Sequence, residues 1–131
     1  MIERIVLAVV WLVFGCAFHS GQTRAQTLSQ GEIIFVRECA KCHQVGPQAN
    51  NRIGPQLNDL FGRKAGAVAN YKNYSEAART AGFVWSPENF RQFIKDPRGM
   101  IIGTTQVYKG LVDDDDITAL IAFLQSQTSK P

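Results

Sequence analysis

The sequence predicts an all-α domain of three main helices joined by loops, and three local patterns predict it. Ser29 stands where it caps a first helix over about residues 30–41. Ser86-Pro87-Glu88 offers a cap followed by proline in the first turn of a second helix. Ile117, Leu120, Ile121 and Leu124 recur at helical spacing near the end of the chain.

The first helix is expected to carry Ile33, Ile34 and Val36 on its apolar stripe. The second is expected to bury Phe90, Phe93 and Ile94 and to stop at Pro97, because a proline pushes the residue before it out of the helical region. Four aspartates, 113–116, open the third helix, where negative charge meets the positive end of the helix dipole. They are read as helix-start residues rather than as a docking patch.

The 131 residues suit one domain. An apolar fraction of 45% is ordinary for a globular core, and neither repeats nor low-complexity tracts interrupt it. The N-terminus differs from the rest. One basic side chain, Arg4, precedes an unbroken apolar stretch over residues 5–14, which is short for a membrane span but suits a signal-peptide core. Thr23-Arg24-Ala25 then places small residues at the two positions a signal peptidase inspects. Residues 1–25 are therefore expected to be a cleaved signal peptide and 26–131 the mature domain, exported to a periplasm. An uncleaved anchor is one alternative. A lipidated Cys16 is another, although Phe14 occupies a place in Val13-Phe14-Gly15-Cys16 where a lipobox has a small residue. Contact with a membrane is expected only in those two cases. Cleavage removes Arg4, Arg24 and Glu3 and lowers the formal charge from +3 to +2. So small a balance argues neither for nucleic acid nor for a strongly anionic partner, and no nucleic-acid partner is expected.

Cys39-Ala40-Lys41-Cys42-His43 is the chemical centre of the sequence. This C-x-x-C-H pattern attaches haem: two thiols three residues apart reach both vinyl groups of one porphyrin, and the adjacent histidine is held under the iron. A thioredoxin-like pair would want a βαβ setting that this chain lacks. A structural zinc site would need a second ligand pair, and the other cysteine and histidine, Cys16 and His19, lie in the leader. A plain disulfide stays open but leaves His43 unexplained.

The flanking residues resemble those of the class I cytochromes c, the mitochondrial type and its small bacterial relatives. The resemblance runs from about Gly31 to Leu124. It includes Gly31 and Phe35, Ile53-Gly54-Pro55-Gln56-Leu57, Leu60-Phe61-Gly62-Arg63, Tyr74-Ser75-Glu76-Ala77, Trp85, Asp96-Pro97, Gly103-Thr104 and Gly110. It implies the class I cytochrome c fold, three main helices plus loops wrapped around one covalent haem c and its iron. In that fold Phe123 packs on the first helix near Gly31 and Phe35. His43 is the proximal ligand, and Pro55 gives its backbone carbonyl to the other ring nitrogen. Arg63, Tyr74 and Trp85, with Thr104 nearby, serve the propionates, whose charges need partners if they are buried. Haem burial is expected to complete a small core, contributing on the order of several kcal/mol.

The distal side departs from the family. Gln106 stands where the family has its methionine ligand, and Phe93 where it often has a tyrosine bonded to that sulfur. Three readings of the sixth ligand follow: the Gln106 carbonyl oxygen, Met100 after a rearranged loop, or Lys109 or water. The resemblance implies a monomeric, non-enzymatic shuttle that carries one electron between redox proteins. These would dock at the exposed haem edge near Lys41, Arg98 and Lys109. Glu38, Thr105 and Asp113 are not basic where the family's docking ring is, which argues against strongly acidic partners. The rival function is a haem protein that binds or senses a diatomic gas, or reacts with peroxide, through a weak sixth ligand.

Intact-mass measurement on the native protein should give a chain that starts at Gln26 and carries one haem. A mass starting at Cys16 with acyl chains, or at Met1, would contradict cleavage after Ala25.

Overall fold

Capping residues and apolar spacing define five helices in a computed structural model that describes residues 27–129. The leader, its cleavage site and Cys16 lie outside the described residues. The helices are α1 (Gln30–Glu38), α2 (Glu76–Thr80), α3 (Pro87–Lys95), α4 (Pro97–Met100) and α5 (Asp114–Gln125). The three longest, α1, α3 and α5, are the three main helices expected. Among the described residues the only extended pairing is an isolated antiparallel bridge between Lys64 and Val84.

The Ser29 hydroxyl caps α1 by accepting from the Glu32 N–H at 3.2 Å. The helix ends at Glu38 rather than near Lys41, and a tight turn carries the chain on through Cys42. Its apolar stripe also differs from expectation. Gly31, Ile34 and Phe35 are buried, whereas Ile33 is 44% and Val36 59% exposed. Residues 31, 34 and 35, followed by the buried Cys39, share one face at i, i+3 and i+4 spacing. Ile33 and Val36 fall outside that face, so hydrophobicity alone misassigns them.

Helix α5 matches its sequence reading. The Asp113 carboxylate accepts from the Asp116 N–H at 2.8 Å, and Ile117, Leu120, Ile121 and Leu124 are all buried. It crosses α1 at very close range. A Cβ on Gly31 would lie 2.1 Å from the Ala119 carbonyl oxygen and 2.6 Å from Phe123 Cβ, so only glycine admits this approach. Phe35 and Phe123 pack beside the crossing with ring centroids 5.5 Å apart.

Helix α3 opens on Ser86 and Pro87 with a full capping box to Asn89. Phe90 and Ile94 are buried, whereas Phe93 is only half-buried, with its ring against Trp85, centroid to centroid 5.0 Å. Pro97 does end α3, and it also begins α4, which Asp96 caps by accepting from the Gly99 N–H at 2.9 Å. Asp114 joins α3 to α5 through Arg91 at 3.1 Å and Lys95 at 2.7 Å. These pairs are exposed and contribute little beside the core, where each fully buried Ile or Leu is worth about 1.5–3 kcal/mol.

Candidate functional site

The turn after α1 brings the two cysteines and the histidine of the motif together. The Cys42 and His43 N–H groups both donate to the Cys39 carbonyl, at 3.0 and 2.9 Å, and the Gly54 N–H donates to the Cys42 carbonyl at 2.9 Å. Cys39 is buried and Cys42 half-buried. Burial, helped by the neighbouring Glu38 charge, pushes the Cys39 thiol up to about 12.

His43 is oriented from two sides. Its Nδ1 lies 2.7 Å from the Pro55 carbonyl oxygen. A carbonyl can only accept, so Nδ1 carries the proton and Nε2 keeps its lone pair. Burial lowers the ring's pKa, and the Pro55 bond only partly opposes that shift. The imidazole is therefore neutral at neutral pH, as a metal ligand must be. Gly54 lies flat against the ring: a Cβ there would fall 2.2 Å from Cε1 and 2.6 Å from Nδ1. The Gly-Pro pair in the sequence signals a turn, and only the fold reveals that the glycine is needed to make room for the imidazole.

A second group forms where residues 62–65 run beside 83–85. The Trp85 N–H donates to the Arg63 carbonyl at 2.9 Å, and the Gly62 N–H to the Trp85 carbonyl at 2.8 Å. The half-buried Arg63 guanidinium donates to the Asn58 and Gln56 carbonyls at 2.9 and 3.2 Å. Burial lowers its pKa, with the Tyr74 and Asp59 charges opposing. The Tyr74 hydroxyl accepts from the Val68 N–H at 3.3 Å and stays protonated, because burial raises its pKa. It therefore keeps a proton to donate. Two contacts join this group to the His43 loop: Tyr71 donates to the Ile53 carbonyl at 2.5 Å, and Asn51 to the Ala69 carbonyl at 3.1 Å. Asn58, buried at 4% exposure, bonds both backbone groups of Gly46 at 2.8 Å. Sequence reading passed over Asn51, Asn58 and Tyr71, since polar loop residues reveal their partners only in the fold.

Thr104, Gln106 and Met100 form a third group, on the segment between α3 and α5. Gln106 is half-buried; its N–H donates to Thr104 Oγ1 at 3.2 Å, and its carbonyl accepts from Arg98 Nε at 3.4 Å. Met100 is the last residue of α4, its N–H donating to the Asp96 carbonyl at 3.1 Å. The Gly103 Cα approaches α2, with an added Cβ lying 3.4 Å from Ala77 Cβ. Lys41, Arg98 and Lys109 are all exposed.

The donor set suits haem c: two cysteines gathered by one tight turn, a neutral histidine whose Nε2 keeps its lone pair, and a glycine that clears the imidazole. The sequence pattern of the family described as Cytochrome c matches residues 28–128. The chain is 38% identical over 117 residues to cytochrome c2 of Blastochloris viridis, covering 87% of this chain and 91% of that one. It is 42% identical over 99 residues to a cytochrome c2 of Rhodoplanes tepidamans, covering 76% and 91%. Its fold resembles that of cytochrome cH from Methylobacterium extorquens, with a TM-score of 0.68 and 31% identity, over 74% of this chain and 95% of that one.

Pro55 acts on His43 through its backbone carbonyl, so Pro55→Ala should keep the bond and cost about 1 kcal/mol or less. Gly54→Ala should displace the imidazole and cost on the order of 2–3 kcal/mol. Denaturant midpoints of the two variants check the contrast, and equal losses would contradict it.

Proposed function

The chain belongs to the cytochrome c family and is a single-haem electron-transfer protein carrying covalently bound haem c, and from that premise we propose which residues serve the haem and where partners meet it. Cys39 and Cys42 hold the haem through thioether bonds, and His43 ligates the iron through Nε2. The observation that carries this reading is the 2.7 Å contact between Nδ1 and the Pro55 carbonyl, which fixes the ring's tautomer and orientation. When bound, the haem supplies a one-electron iron couple.

Arg63, Tyr74, Trp85 and Thr104 serve the propionates. A half-buried guanidinium held by two neutral carbonyls still favours an anion. Tyr74 and Thr104 each use the hydroxyl oxygen as an acceptor and keep the proton for donation.

Gln106 is the sixth ligand, through its side-chain carbonyl oxygen. In support, Met100 is tied into α4, with its backbone bonded to Asp96, while Gln106 stands half-buried on irregular chain.

The protein acts as a carrier rather than an enzyme, exchanging electrons with redox proteins that dock near Lys41, Arg98 and Lys109. The exposed Ile102 and Val107 make that surface partly apolar. No helix among the described residues is long and apolar enough to cross a membrane. With the leader removed after Ala25, the reading is a periplasmic monomer.

An amide oxygen is a harder ligand than a thioether and favours ferric iron. A thousandfold shift in relative affinity corresponds to roughly 180 mV for a one-electron couple. Gln106→Met should therefore raise the reduction potential by about that amount and introduce a weak red absorption band from a sulfur-to-iron bond. Met100→Leu should change neither. If Met100→Leu instead abolishes a sulfur band already present in the natural protein, Met100 is the ligand.

A further inference from the structure

The segment of residues 101–111 is irregular chain and is fastened mainly at its ends. The Ile101 N–H donates to the Pro97 carbonyl at 3.1 Å, and the Leu111 N–H to the Ile94 carbonyl at 2.8 Å. Between them the Thr104 and Gln106 N–H bonds are local, and the Arg98 contact to Gln106 is long at 3.4 Å. Ile102 is 84% and Val107 76% exposed, so apolar burial does not hold this part of the loop down.

Tyr108 is different. Its ring packs against the core, and its hydroxyl donates to Glu38 Oε2 at 2.9 Å, across 70 residues of sequence. Glu38 is the last residue of α1, immediately before Cys39. Its other oxygen accepts from Arg37 Nε at 2.5 Å, and Arg37 Nη2 donates to Asp116 of α5 at 2.9 Å. The acceptor is thus pinned from behind by two helices. A half-buried bond to a carboxylate is also among the stronger kinds.

We infer that Tyr108 is a positioning residue whose hydroxyl bond to Glu38 latches the 101–111 loop to the haem-attachment helix and so restricts entry of small ligands at the iron's sixth position. The inference rests on the reading that this loop covers that position; it does not require Gln106 to be the ligand. Opening the loop for an incoming molecule breaks the Tyr108 bond, so removing the bond raises the population of the open state.

Imidazole binding to the oxidised holoprotein, followed by absorption change, reads that population. Tyr108→Phe deletes only the hydroxyl and should bind imidazole about tenfold faster, the loss of one such bond. Glu38→Ala should do the same, whereas Glu38→Gln retains a carbonyl acceptor and should stay closer to the natural protein. Combining Tyr108→Phe with Glu38→Ala should give no further acceleration, because both remove the same contact. Ser29→Ala, which removes the cap at the far end of α1, should lower the thermal midpoint without speeding imidazole. Tyr108→Phe and Glu38→Ala binding at the natural rate, or accelerating additively, would overturn the latch. An unchanged oxidised spectrum in Gln106→Ala would remove Gln106 as ligand, yet leave the Tyr108→Phe acceleration standing.

Discussion

The backbone contact between Gly31 and Ala119 is the constraint from which the rest of the molecule follows. With no side chain at Gly31, α1 and α5 meet backbone to backbone, and Phe35 and Phe123 stack beside the crossing. That contact fixes where α1 ends and therefore where Cys39 leaves the helix. The tight turn through Cys42 then delivers His43 to the Gly54-Pro55 turn. Shifting the crossing by one side chain's thickness would move the thiols, the imidazole and the Tyr108 anchor together, since all of them depend on the last turn of α1.

Electron carriage asks a protein to hold its redox group in one arrangement through both oxidation states, and this chain meets that demand largely with backbone groups. The Pro55 carbonyl orients His43, and the Cys39 carbonyl gathers the turn. Backbone carbonyls also hold Arg63. None of these acceptors titrates. The neutral imidazole leaves the Arg63 guanidinium to meet the charge of the propionates.

How much could be read beforehand depended on whether a feature is local in the chain. The caps at Ser29 and Ser86, the proline at 87, the aspartates at 113–116 and the apolar period of α5 are local, and the helices they mark begin where they were expected, although α1 stops short at Glu38. The Cys39-to-His43 pentad is local as well. Ile33 and Val36 misled because α1 buries only one narrow face, and which face depends on α5, more than eighty residues away. Gly54 looked like turn punctuation because its reason, the His43 ring, comes from an earlier part of the chain. The Tyr108–Glu38 bond spans 70 residues and leaves no mark at either end. Gln106 stands out by the resemblance alone, as the place where the family pattern is broken.

Electron carriage is tested most directly by a redox titration of the holoprotein, first under argon and then under carbon monoxide. A single one-electron wave with a slope of about 59 mV per tenfold ratio, superimposable in the two gases, is the expected result. A wave that moves to higher potential under carbon monoxide would mean that the ferrous site takes up the gas, and would contradict a site built only to pass electrons.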